Sequence, residues 1–524
     1  MAPMTLAAAC GWSLFRSLIV ALAAWPVCKS QVAWLAGMER RQRRLAWLVL
    51  LIPFLCPELW AGFAWSGFAV RLAGTSFWGS FPFGLVTWPL SAIESRDAAV
   101  NELLLDLLLF FRAVPVGTVA MYFAPPPPLS REAWYCRELA RIRTRSASEG
   151  VSDVGAKSLP RWRFGLVWRD FLDRLRFGLY GRFYTAIPAA SLLFLVAFQE
   201  FELASLIGRP AWTVWLFDAQ AGGLALSESL RLIVLPVVCQ CVVIAPLLWM
   251  ILTRRSNPSM LREHVRPKSQ SAQMALWIIA LGGVAVTCVV PAIQVGSETE
   301  AGLRSIIGNT VQLRMLLKEI LIGMAYALAA ALVAAVIAAG LFRKAGTSRL
   351  AAVGIVAAAL PGLAGSLVLC LTLIQLLQLP LARFAYKTPL SLLTGLILFL
   401  LPRAMALRFL LSSSGNSTGL HLTRLLGESA DSPVRDRARE VAWQMRWRGE
   451  FWSVAVLSYW VFFDLTLAYL LAPVTIVSAP VMLYNQMHFG KNAILSALVF
   501  LTVLVPVLIF AAAAAARRLV MRWF

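Results

Sequence analysis

Residues 493–516 read AILSALVFLTVLVPVLIFAAAAAA, with no charge anywhere in the run, and Arg517 and Arg518 follow at once. A helix needs about 20 apolar residues to cross the hydrocarbon core of a bilayer. This segment therefore reads as a membrane span with a basic anchor behind it. The pattern recurs along the chain. Of 524 residues, 60% are hydrophobic and only 14% charged, against about 45–50% and about 25% in soluble domains. Such a composition excludes an ordinary soluble enzyme.

Working outward, apolar runs lie near 7–28, 45–68, 101–123, 183–208, 230–253, 272–293, 312–342, 350–378, 389–412, 450–472 and 493–516. Lipid offers the backbone no hydrogen-bond partners, so runs of this kind must be helical. The expected fold class is all-α, a polytopic membrane helix bundle of about eleven spans. The first run carries Arg16 and lacks an A-x-A cleavage site, so it is expected to stay as a span and not to leave as a signal peptide.

The formal net charge of +22 would suit a nucleic-acid partner in a soluble chain,. Its distribution argues for topology instead. Loops 29–44, 124–182, 254–271, 343–349 and 413–449 and the tail after 516 fall on one side of the eleven spans and hold 34 of the 48 basic residues. Cationic loops are retained on the cytoplasmic side. That places the N-terminus outside and the C-terminus in the cytoplasm, in the cell inner membrane, with the lipid bilayer as partner and no nucleic acid. The eight cysteines are scattered, so neither a disulfide framework nor a zinc site is expected,. His264, His421 and His488 have no second ligand nearby, and no cofactor or metal is expected. Gly150 to Ser158 imitates a phosphate-binding loop, but its spacing is wrong and no strand precedes it,.

The order of elements is duplicated. Phe198 to Ile207 lines up with Phe462 to Leu471, which sets Glu200 over Asp464 and Leu203 over Leu467. Leu216-Phe217-Asp218 matches Leu483-Tyr484-Asn485. More weakly, Ile52-Pro53 to Gly62 matches Leu360-Pro361 to Gly365, and Leu107 to Pro115 matches Ile397 to Arg403. Two halves are expected, 1–255 with five helices and 272–524 with six, joined by a cytoplasmic linker at 256–271. Both run in the same direction through the membrane, as parallel repeats do.

This order of helices, long basic loops, acidic-aromatic steps and Leu-Tyr-Asn segment resembles the permease subunit of binding-protein-dependent ABC importers, in particular the fused two-half permeases of the ferric-iron and thiamine type. The resemblance is clearest over 183–253 and 450–516. It implies transport of a small solute, such as ferric iron, thiamine or a polyamine, by alternating access. It further implies cytoplasmic ATPase subunits that hydrolyse ATP, so the chain itself is not an enzyme, and an extracytoplasmic solute-binding protein. The family's coupling pattern is degraded here: Glu428, Ser429, Ala430 and Arg437 stand in the loop 413–449, but Val434 replaces the glycine. The loop 124–182 offers Glu138 without a matching glycine. Two other readings stand beside it: a degenerate non-transporting permease homologue, which fits this erosion, and a polytopic membrane enzyme or assembly factor acting on lipid-linked substrates, whose anionic head groups the basic loops would bind.

Ionisable residues inside a bilayer are functional candidates by default. Arg112 with Arg403, and Glu200 with Asp464, hold corresponding places and are the candidates for a translocation pathway. Interhelical ion pairs would explain the same residues without any solute.

Overall fold

Because lipid is as apolar as a protein core, helices in a membrane carry hydrophobic residues on outward and inward faces alike and associate through close packing. The computed structural model describes residues 5–68, 90–124, 139, 184, 186–253, 269–308, 310–345, 349–414, 417–428, 432–473, 475–487 and 493–523. Within them every regular element is helical.

In chain order these are α1 (Leu6–Ala36), α2 (Arg40–Leu55), α3 (Glu58–Trp65), α4 (Leu90–Tyr122), α5 (Ile187–Phe198), α6 (Glu202–Ile207), α7 (Trp212–Ala221), α8 (Leu226–Leu232) and α9 (Val234–Thr253). Then come α10 (Gln270–Val284), α11 (Val290–Gly308), α12 (Thr310–Ala345), α13 (Arg349–Leu363), α14 (Ser366–Leu377) and α15 (Pro389–Ser414). The last are α16 (Ser417–Gly427), α17 (Ser432–Ala442), α18 (Arg448–Phe462), α19 (Leu465–Leu471), α20 (Ala479–Met487) and α21 (Ala493–Trp523).

Seven stretches are long and apolar enough to cross a membrane, and three bent pairs bring the number to ten if each pair is one span. The chain is a multi-pass membrane protein. The expected run at 183–208 takes a different form: α5 has 12 residues, too few to cross alone, and α6 follows after a break at Gln199–Phe201. The expected run at 272–293 extends into a 39-residue helix, Gln270–Gly308, with one π-helical turn at Ala285–Val289.

The breaks have local causes. α2 and α3 meet at 68° across Cys56-Pro57, where proline has no N–H to donate and holds the residue before it extended. α13 and α14 meet at 103° across Gly365, whose φ of 93° and ψ of 159° are accessible only to glycine,. α18 and α19 meet at 62° across Phe463-Asp464, with Asp464 extended. α2 ends two residues after Pro53 and α3 begins five after it; α13 ends two after Pro361 and α14 begins five after it.

Small residues set the closest approaches. Ala327, Ala330, Ala331, Ala334 and Ala338 form a buried stripe along α12, which packs on α15 and α18. Gly302 of α11 lies so near the Ala493 carbonyl of α21 that a Cβ would fall 1.9 Å from that oxygen. The outward faces are apolar too, as with Val234, Val238 and Val242 on α9 and Met274, Ile278 and Leu281 on α10.

Candidate functional site

A broken helix inside a membrane leaves backbone N–H and C=O groups that other protein groups must satisfy. At the four breaks among the described residues, nearby side chains take up the freed groups, and some of them come from another break. At the α5–α6 break, Glu200 Oε1 accepts the Leu203 N–H at 2.8 Å, Trp212 Nε1 donates to the Phe198 carbonyl at 2.7 Å, and Thr213 Oγ1 donates to the Glu200 carbonyl at 2.6 Å. At the α18–α19 break, Asp464 Oδ1 accepts the Leu467 N–H at 2.9 Å. Glu200 with Leu203 and Asp464 with Leu467, aligned in sequence, thus form the same side-chain cap.

Other bonds tie one break to the next. Glu202 Oε1 accepts the N–H of Leu465, the first residue of α19, at 2.8 Å. Gln199 Nε2 donates to the Leu363 carbonyl at the end of α13, 2.7 Å away. Arg112 of α4 donates to the Cys56 carbonyl at 2.5 Å and pairs through Nη2 with Glu58, the first residue of α3. The π turn after α10 supplies two acceptors to the same region, Thr287 O for Cys56 Sγ and Val286 O for Trp65 Nε1, each at 3.0 Å. Such bulges free carbonyls from the helical ladder.

The result is a charged layer in the interior. Glu200, Glu202 and Arg112 are 7%, 6% and 4% exposed. Arg112 lies within electrostatic reach of Glu58, Glu200 and Glu202, and Arg403 within reach of Asp464 and Glu58.

On one side of this layer is a vestibule of about 560 Å³. Ser205, Phe217 and Asp218 from the α6–α7 region face Tyr469, Tyr484 and Asn485 from α19 and α20 across it. Aligned positions therefore supply opposite walls, Phe217-Asp218 against Tyr484-Asn485 and Ser205 against Tyr469. Its floor is closed: the Ser205 and Tyr484 hydroxyls are 2.6 Å apart, and Phe217 packs on Phe201 and Tyr469 with ring centres 4.5 and 4.9 Å apart. Arg209 and Pro210 complete the rim. Arg209 Nε donates to Glu102 at 2.7 Å, and Glu102 also pairs with Arg16, which donates to the Pro210 carbonyl at 3.1 Å and lies 3.7 Å from Asp106.

On the other side, toward α16 and α17, Phe54 and Trp460 meet edge to face at 4.7 Å. Both precede the breaks of their own helices. Arg403 stacks on Trp460 at 4.7 Å and on Phe399 at 3.7 Å from the ring centres, and its Nη1 donates to the Phe399 carbonyl at 2.7 Å.

Of the residues singled out in the sequence, Arg112, Glu200, Asp464 and Arg403 thus gather around the breaks. Glu428 is exposed at the end of α16, and Arg437 is exposed on α17, where Nη1 bonds Glu440 at 2.9 Å. Glu138, Ser429 and Ala430 lie outside the described residues, as do Gly150 to Ser158. Gln199, Trp212 and Thr213 escaped notice in the sequence because neutral side chains in apolar runs carry no mark of their backbone partners. Glu102 escaped because its two arginines come from distant segments. Among the described residues no group of three His, Cys, Asp or Glu side chains could hold a metal ion. No protein family, curated protein or solved structure matches the chain.

Proposed function

We propose that the chain is the membrane-spanning permease subunit of an ATP-driven importer of a small solute, and that the solute moves between two parallel halves, 1–255 and 272–524. The observation that carries this reading is the meeting of four helix breaks directly beneath a vestibule whose opposite walls come from aligned segments. Broken helices at mid-membrane are where transporters bind and gate their solutes. A layer cross-tied by side chains can open by exchanging a few hydrogen bonds.

In this reading the N-terminus and the vestibule face outward in the cell inner membrane, and the basic loops and C-terminus face the cytoplasm. A solute-binding protein delivers to the vestibule. ATPase subunits hydrolyse ATP and dock on α16 and α17, which expose Leu422, Leu425 and Leu426 beside Arg437. The ATPase contact would then rest on this apolar and basic surface in place of the eroded coupling pattern. Chemistry on a lipid-linked substrate has less support, because Glu58, Glu200, Glu202 and Asp464 do not line the vestibule and three of them are engaged in capping backbone N–H groups.

The test is recovery of partners from native membranes. The tagged full chain is expected to bring down an ATPase, and a Leu425→Asp, Arg437→Glu variant is expected to lose it while still reaching the membrane. Recovery of the chain without any ATPase would contradict the reading.

A further inference from the structure

On the α16–α17 side of the charged layer stands a cation, Arg403, that no carboxylate contacts among the described residues, Asp464 and Glu58 reaching it only at a distance. Arg112, on α4, has Glu58 against its guanidinium. Glu58 stands five residues after Pro53, and the residue five after Pro361 is Ser366. Arg403 on α15 makes no ion pair among the described residues, and its Nε has no hydrogen-bond partner. Its positive charge is held by the faces of Phe399 and Trp460, which attract a cation without cancelling it,. Trp460 in turn touches Phe54 of α2, so this charge stands where the two proposed halves close on each other.

Among the described residues the layer next to it carries four carboxyl groups, Glu58, Glu200, Glu202 and Asp464, against which two further guanidinium groups act, those of Arg112 and, on Glu200, Arg16. Left alone, such a layer would attract protons and alkali cations into the pathway. A fixed positive charge in a narrow passage excludes them.

We propose that Arg403 is the electrostatic seal of the pathway, a cation held between Phe399 and Trp460 that keeps protons and potassium ions from leaking across the membrane. This rests on the pathway between the two halves described above. The seal is needed in any permease that sits in an energised membrane, because an open cation path would dissipate the gradient in every cycle. The cation–π clamp suits this task. Rings hold the charge in place, and Asp464 and Glu58 act on it only from a distance.

The experiment uses the full chain, with whatever subunits purify with it, in sealed liposomes carrying a potassium or proton gradient read by a dye. Wild-type protein is expected to be tight. Arg403→Gln is expected to raise the leak about tenfold or more, the rate change that corresponds to about 1.4 kcal/mol off the barrier, and Arg403→Lys to restore most of the tightness. If Arg403→Gln is not recovered from membranes, Arg403→Met, which keeps the apolar stem between the rings, carries the same expectation. A leak equal to wild type in both neutral variants would overturn the seal. A variant widened on both sides, Phe54→Ala with Ser205→Ala and Tyr484→Ala, separates this failure from a failure of the pathway itself. If it leaks while the neutral Arg403 variants stay tight, the pathway stands and the seal falls; if none leaks, both fall.

Discussion

Around Arg112 the structure closes a charge, and around Arg403 it leaves one open. Arg112 has a carboxylate and a backbone carbonyl, and its side chain is shut away from the surface. Arg403, in the matching part of the second segment, has two aromatic rings and one carbonyl of its own helix. Glu58 and Ser366 stand at the same distance after Pro53 and Pro361, one ionisable and the other not. The breaks differ in kind as well: proline forces the first, a bend of 68°, and glycine permits the second, a sharper one of 103°, so a bend is reached once by removing a donor and once by removing a side chain. The spacing from proline to break is thus kept while the angle and the charge beside it change.

That contrast can be broken from either side. The largest effect is expected at the closed pair. Arg112→Met leaves half-buried Glu58 and the Cys56 carbonyl without their partner. Breaking a fully buried pair costs about 3–5 kcal/mol, and with Glu58 partly exposed the loss should lie near the lower figure, about 3 kcal/mol, read as reduced recovery of folded protein by size exclusion in detergent. Next comes Gly365→Ala. Its positive φ and the close approach of Gln199, which a Cβ would meet at 3.0 Å, should destabilise by about 1–3 kcal/mol, read as a lower thermal midpoint. The matching Pro57→Ala should be far milder, because alanine adopts the conformation proline has there.

Smaller effects sharpen the likeness between the regions. Glu200→Ala and Asp464→Ala each remove one cap, about 1 kcal/mol apiece, and their thermal shifts should be similar; a large effect at one and none at the other would show that the two breaks are not alike. The smallest is Arg437→Ala. Its bond to Glu440 is exposed, and exposed pairs contribute about 0–1 kcal/mol, so stability should barely move even where ATPase recovery falls.

The all-helical class was legible in runs such as 493–516 because lipid demands that pattern of any span. The charged layer was legible in part. Glu200 and Asp464 stand out as acids in apolar runs, and their alignment with Leu203 and Leu467 anticipated a shared environment. Their actual partners did not show, because a cap bonds to backbone, which is the same at every residue. The α5–α6 break was hidden within one continuous apolar run: nothing in Gln199-Glu200-Phe201 forbids a helix, and it is the bonds made by Trp212, Thr213, Gln199 and the Glu200 cap that hold the break. Arg403 looked like the twin of Arg112 because register fixes position along a helix and says nothing about which neighbour reaches it.

The central claim is a pathway between the halves that opens to one side at a time. In a background with the eight native cysteines replaced, Ser205→Cys reports the vestibule side of the charged layer and Phe54→Cys the other. A membrane-impermeant thiol reagent is applied from each side in native membranes, with and without trapped nucleotide. Labelling of the two positions is expected to alternate, one rising as the other falls when nucleotide is trapped. Labelling of both that does not change with nucleotide would contradict the account.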